Sequence, residues 1–156
     1  MEGKKVCESA TLMTHVPMPD EANVAGNMHG GFLLKHIDTA GGVAAMRHSR
    51  GRAVTASLER MDFLTPVHLG EVITFKASVN RVGRTSMDVG VRVEVEQISS
   101  GEVRHAASCY LTLVAVTKDG APREVPPLIL ETEDDVRRHA KAEERRRLRQ
   151  MGAGKG

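Results

Sequence analysis

The clearest signal in the chain is an alternation between residues 87 and 97, where Met87, Val89, Val91, Val93 and Val95 take one parity and Asp88, Gly90, Arg92, Glu94 and Glu96 the other. A period of two rich in β-branched residues predicts a strand with one face on a core and the other in water. Upstream, Ile73, Phe75, Ala77 and Val79 alternate with polar residues, and Val82-Gly83 supplies a turn. The two runs therefore predict an antiparallel hairpin. Ser99-Ser100-Gly101 turns the chain into a further strand over 103–117, whose later part, 110–116, is apolar on both faces and predicts cover on both sides. Residues 53–64 read as a strand of imperfect alternation ended by Pro66 and Gly70, and residues 6–16 as a first strand.

Residues 31–48 follow a different period. Leu33, Leu34, Ile37, Ala40, Gly41, Ala44, Ala45 and His48 recur at three to four positions, which predicts a helix with one buried face. Its Gly41-Gly42 pair costs about 1 kcal/mol per glycine in helix propensity, so close approach to a sheet is expected there. Strand, long helix and then four strands in meander predict an α+β domain, one antiparallel sheet packed on one helix. After Pro126-Pro127 the segment 131–150 is mostly charged, acids leading and arginines trailing, with Thr132 and Asp135 spaced as a capping pair. Few apolar residues remain to bury it, so a solvated helix or fraying tail is expected, dividing the chain into a domain at 1–130 and a tail at 131–156.

Composition narrows the function. A length of 156 residues suits one domain with a proper core. With 22 Lys+Arg against 20 Asp+Glu, 3% aromatic residues and no Trp, the chain has neither the basic excess nor the stacking platform of a nucleic-acid binder. Cys7 and Cys109 cannot supply a four-ligand zinc cluster and read as cytosolic thiols, and no metal site is expected. The N-terminus lacks the unbroken apolar run of a signal peptide, and no stretch approaches the roughly 20 apolar residues that cross a bilayer. A cytoplasmic protein without a membrane partner is expected.

Candidate chemistry gathers at residues 21–31, a polar, glycine-rich loop running into the long helix. Free N–H groups and the helix dipole there suit a polarised carbonyl or an anion, whereas the same glycines also suit a tight helix start. Asp38 sits beside the buried face of the helix; it is either a functional carboxylate or a solvated one on the polar edge next to Lys35 and Thr39. His29 and His36 read as histidines completing local hydrogen bonds. Gly31 and Asp38 are separated by two helical turns, about 10.5 Å along the axis, so one carbonyl cannot meet both within a chain. If both act on one thioester or ester, they come from two chains related by a two-fold axis. Arg84, Thr85 and Ser86 after Gly83, and Lys118-Asp119-Gly120 with Arg123, offer donors suited to phosphate and are equally ordinary polar turns.

The run from Asn23 to Gly31, Asn-Val-Ala-Gly-Asn-Met-His-Gly-Gly, followed by Leu34-Lys35-His36-Ile37-Asp38, resembles the signature of hotdog-fold acyl-CoA thioesterases, in particular the cytosolic brain-type hydrolases and their bacterial single-domain relatives. Met61 to Val67 with Gly70-Glu71, and Val82 to Met87, resemble that family's next blocks, and the likeness covers about 11–128. It implies a five-stranded antiparallel sheet wrapped round the long helix, a homodimer at minimum with hexamers as trimers of dimers, and acyl-CoA bound between chains. By position, Asp38 matches the catalytic carboxylate, Asn23 a partner-chain asparagine that orients water or thioester, and the Gly30 and Gly31 amides the carbonyl-polarising terminus. His29, Arg84, Thr85 and Ser86 match the substrate-binding side.

The implied reaction hydrolyses acyl-CoA to a free acid and CoA, with Asp38 as general base on water or as a nucleophile. CoA is part of substrate and product, and no cofactor is expected. Phe32, Leu58, Met61 and Phe63 would set the depth of the acyl tunnel. A hotdog hydratase or dehydratase using His29 and Asp38, and a non-catalytic acyl-CoA sensor whose Arg-rich tail meets a partner, are the competing readings.

Overall fold

The computed structural model describes residues 1–153. In chain order these form β1 (Lys4–Lys5), α1 (Val6–Ser9), β2 (Thr11–His15), a 3-10 turn (Pro19–Glu21), α2 (Gly30–Ser49), β3 (Arg52–Phe63), β4 (Val72–Val82), β5 (Ser86–Gln97), β6 (Glu102–Val116), β7 (Leu128–Ile129) and α3 (Glu133–Ala153). The main sheet is antiparallel in the order β2-β4-β5-β6-β3, and β1 pairs with β7 in parallel. The α+β expectation of a five-stranded sheet around one long helix therefore holds.

The expected four-strand meander does not. Only β4, β5 and β6 follow one another, because the chain leaves α2 at the far edge of the sheet, lays β3 beside β6, and returns to place β4 beside β2. Local periodicity identifies strands but carries no record of which strands are neighbours.

Ile73, Phe75, Ala77 and Val79 of β4, Val89, Val91, Val93 and Val95 of β5, and Cys109, Leu111, Leu113 and Ala115 of β6 form a buried core with α2. From the helix come Leu33, Ile37, Ala40, Ala44 and Ala45. Helix and sheet approach closest at Gly41, where an added Cβ would lie 3.4 Å from Leu111 Cδ1 and 3.5 Å from Val91 Cγ2. Gly42 faces open space, so only one of the two glycines has the expected packing reason.

The expected first strand over 6–16 is instead interrupted by α1. Arg47 of α2 explains the break, since its guanidinium donates to the carbonyls of Glu8 and Ala10 and holds that turn against the long helix. The charged tail also departs from expectation. It is helical, and Thr132 and Asp135 exchange the anticipated backbone-to-side-chain bonds at its start. Yet it is not free in solvent. Ala142 is buried, Glu143 pairs with Arg81 at 2.8 Å, His139 donates to the Asn80 carbonyl, and Arg145 lies 3.7 Å over the Tyr110 ring. Arg149 reaches Glu59 and Asp88. The helix docks by polar contacts onto the outer face of β4 to β6, and on β6 its side chains reach Tyr110 and Thr112, so the cover expected over 110–116 is only partial on the outer face. Residues 154–156 of the expected tail lie outside the described residues.

Candidate active site

β3 forms one edge of the sheet, and among the described residues β6 is its one strand partner. Register shifts at Thr55/Ser57 and Leu58/Arg60 explain its imperfect alternation, since each bulge twists the strand and changes which side chains face the helix. Val54, Leu58 and Phe63 on this edge are exposed, as are the neighbouring Leu64 and, on α2, Phe32. A 12-residue edge strand with large exposed apolar groups is a ready template for pairing.

Asp38 lies in this region, exposed on α2, and its Oδ1 accepts a 2.7 Å hydrogen bond from the Thr55 hydroxyl of β3. That bond orients the carboxylate and leaves Oδ2 available. Thr55 is a candidate that the sequence does not single out; a lone threonine on an irregular strand carries no motif, and only the packing of β3 on α2 brings it to Asp38.

At the other end of α2 is a cleft of about 470 Å³ lined by Asn23, Asn27, Gly30, Leu33, Phe63 and Pro66 among others. The Asn23 carboxamide oxygen accepts from the Ala25 and Asn27 N–H groups, so this side chain shapes the loop, and its Nδ2 amide is the part left to address a ligand. The Gly30 N–H has no partner among the described residues, and a Cβ there would meet Phe63 Cζ at 3.4 Å. Gly31 differs, because its N–H donates to Nδ1 of His29, the residue that caps the helix. Of the two expected glycine donors, only Gly30 is open to a carbonyl. His29 has a structural task at the same place, with its Nδ1 as acceptor.

The substrate-side candidates Arg84, Thr85 and Ser86 form the β4–β5 turn, where Ser86 pairs with Val114 on the strand whose Val116 pairs with Arg52. This is the C-terminal end of α2, far from Gly30 in the same chain. Arg84 is exposed and only loosely paired, 3.6 Å from Glu124. Its carbonyl, with those of Thr85 and Ser86, is held by the backbone of neighbouring segments. Neither cysteine enters this region as a nucleophile: Cys7 is exposed at the N-terminus, and burial pushes the Cys109 thiol up to about 11, against a smaller backbone hydrogen bond.

Residues 25–102 match the model of the thioesterase superfamily. The chain is 38% identical to Helicobacter pylori protein VdlD over 90% of its length and 80% of that protein. It is 36% identical to the Bacillus subtilis acyl-CoA thioester hydrolase YkhA over 88% of its length and 80% of that protein. The human cytosolic acyl coenzyme A thioester hydrolase matches at 32% over 88% of this chain and 37% of its own length. The chain belongs to the hotdog-fold acyl-CoA thioesterases. Among solved structures of this family, an apo-hexameric acyl-CoA thioesterase superposes with a TM-score of 0.95 at 33% identity, covering 98% of each chain. The Staphylococcus aureus acyl-CoA hydrolase, solved with butyryl coenzyme A, coenzyme A and coenzyme A disulfide, gives 0.89 at 30% identity over 97% of this chain and 94% of that one. Among the described residues of this family member, no helix is long and apolar enough to cross a membrane.

Proposed function

We infer that the chain hydrolyses acyl-CoA thioesters to a free carboxylic acid and CoA, at a site completed by two copies of itself. One observation carries the shared site: Asp38 and Thr55 stand apart from the Gly30 and Asn23 cleft, along an exposed strand edge that links the two. From Gly30 to Asp38 the helix rises about 12 Å. From Thr55 to Phe63 the strand runs about 26 Å. Antiparallel pairing of two β3 edges about a two-fold axis near residue 59 would set the Thr55 end of one chain against the Phe63 end of the other. Asp38 of one chain then faces Gly30 and Asn23 of its partner, and the exposed apolar residues of the edge become covered.

In this arrangement the thioester carbonyl oxygen accepts the Gly30 N–H at the positive end of the α2 dipole, which stabilises the oxyanion as it forms. The partner's Asp38, held by the partner's Thr55, takes a proton from a water that attacks the carbonyl carbon, and the thiolate of CoA leaves. Asn23 orients the water or thioester through Nδ2. Phe32, Leu58, Met61 and Phe63 line the way for the acyl chain, and His29 of one chain, with Arg84, Thr85 and Ser86 of the chain that supplies Asp38, borders the CoA portion. The S. aureus hydrolase supports the residue set: its solved alanine variants replace an asparagine, an aspartate and a threonine spaced 15 and 17 residues apart, the spacing of Asn23, Asp38 and Thr55 here. The apo-hexameric relative supports dimers gathered into a hexamer, and the cytosolic human relative supports a cytoplasmic location.

The test is thiol release from a series of saturated acyl-CoA esters, run beside water addition to an enoyl-CoA. Thiol release without hydration is expected. Hydration without thiol release would identify a hydratase using His29 and Asp38, and binding with no turnover would identify an acyl-CoA sensor.

A further inference from the structure

On the opposite side of α2 from the reaction, three side chains converge from three elements. His15 ends β2, Glu21 ends the 3-10 turn, and His36 lies on α2, two residues and so about 200° round the helix from Asp38. His15 Nε2 is 2.8 and 2.9 Å from the two Glu21 carboxylate oxygens, and His36 Nε2 is 3.4 Å from Oε2. The two imidazoles lie with ring centroids 4.1 Å apart, and Phe75 backs the His36 ring. The Glu21 side chain is only 9% exposed, whereas those of His15 and His36 are 27% and 23% exposed, so the cluster is enclosed on the protein side and open on one other.

Two imidazole nitrogens aimed at one enclosed carboxylate, all three ligand atoms within 4.8 Å of one another, approximate a metal triangle. Tetrahedral zinc with bonds of about 2.0–2.2 Å separates its ligand atoms by about 3.3–3.5 Å. The His36 separation already has that value, and the His15 separation needs about half an ångström of opening. Two nitrogens and one oxygen suit zinc or cobalt rather than the all-oxygen preference of magnesium or calcium. We propose that His15, Glu21 and His36 bind one divalent transition-metal ion of the zinc type per chain, with the remaining coordination position open to solvent.

Such an ion would tie β2, the entry loop and α2 together at one point. The Glu21 carbonyl accepts the His29 N–H at 2.7 Å, and Asn23 follows two residues later, so the ion braces the loop that presents Asn23 and Gly30 without touching Asp38. The proposal does not depend on the hydrolytic reading, because metal binding is read without substrate.

The full-length protein, stripped with a chelator and dialysed, is titrated with zinc by calorimetry and with cobalt by visible absorption. One equivalent per chain is expected, with ligand-field bands of a four-coordinate ion and a rise in Tm on zinc addition. His36→Gln and, independently, His15→Gln should each weaken zinc by about 100-fold or more and remove the Tm rise, while Cys7→Ser on the exposed N-terminus leaves binding unchanged. Absence of zinc binding by the wild type, equal binding by the wild type and a folded histidine variant, or loss of binding in Cys7→Ser would overturn the proposal.

Discussion

Thr55 offers a sharp test of how Asp38 is held. Thr55→Val preserves shape and β-branching but removes the hydroxyl that donates to Asp38 Oδ1 at 2.7 Å. A hydrogen bond to a charged acceptor contributes about 1.5–3 kcal/mol, and each 1.4 kcal/mol is tenfold in rate, so complete loss of positioning corresponds to about 10- to 150-fold. Without this bond the carboxylate rotates freely about its side-chain torsions, and the fraction aimed at water falls. The lower part of the range applies, because both residues are exposed in the single chain and water can replace the hydroxyl in part. The expected result is a kcat lowered about 10- to 30-fold with KM within about twofold, since the group acts on the proton-transfer step and not on CoA binding. Thr55→Ser should recover kcat to within about threefold, because it restores the donor. Thiol release from butyryl-CoA at saturating and limiting concentrations gives both constants, and a thermal melt checks that the fold is intact. A Thr55→Val enzyme with wild-type kcat, or a Thr55→Ser enzyme as slow as Thr55→Val, would refute the reasoning.

Three further outcomes follow from particular contacts. Arg81, whose side chain is 5% exposed, neutralises Asp88 at 3.0 Å, and Arg81→Ala leaves that carboxylate, among the described residues, with Thr112 and the more distant Arg149 at 3.6 Å. Thermal melts should show a loss of about 3 kcal/mol, or about 6–12 °C, for Arg81→Ala and less than about 3 °C for Glu143→Ala, whose side chain is half exposed; equal losses would contradict the assignment. His48 is fully buried with Nε2 against the Pro126 carbonyl, and burial holds its imidazole below the usual histidine range. Its contribution to stability is therefore complete above pH 6.5 and declines as pH falls below that value toward its depressed folded pKa, because the unfolded chain takes up the proton first. Denaturant midpoints between pH 7.5 and 5 should show this decline in the wild type and a smaller one in His48→Gln; identical slopes would exclude His48 as the cause. Gly30→Ala places a methyl against Phe63 at the mouth of the cleft and should raise KM for acyl-CoA severalfold without a change in oligomeric mass, which kinetics and light scattering together decide.

The parts of the structure legible in the sequence are those where burial imposes a short local period. β5 alternates because one face is on the helix, and α2 shows its 3.6-residue period because Leu33, Ile37, Ala44 and Ala45 all enter one core. Topology was less legible: β3 and β4 are consecutive in the chain yet separated by two strands in the sheet, a placement that depends on the length of α2 and the twist of the sheet. The docking of α3 was hidden because Glu143 and Arg149 look the same in sequence whether they face water or the buried Arg81 and Asp88. Of the candidate site, Gly30 and Asp38 stand out through a glycine-rich entry and a carboxylate beside an apolar helix face, and Asn23 through the family resemblance alone. Thr55 does not, since its importance comes from a residue 17 positions away on another element. Gly31, which the resemblance pairs with Gly30 as a donor, has its N–H taken by His29, a contact that depends on a rotamer no spacing records.

The central claim is that each active site is shared, and subunit mixing tests it most directly. Asp38→Asn removes the base on one side, and Asn23→Asp keeps the oxygen that accepts from Ala25 and Asn27 while removing the Nδ2 donor on the other. Each homogeneous variant should be inactive. After exchange of subunits in equal amounts, about half of all dimers are mixed and each carries one intact site of two, so activity should return to roughly a quarter of the wild-type value. No return of activity in a mixture whose heterodimers have been demonstrated by mass would show that Asp38 and Asn23 act within one chain, and would contradict the shared site.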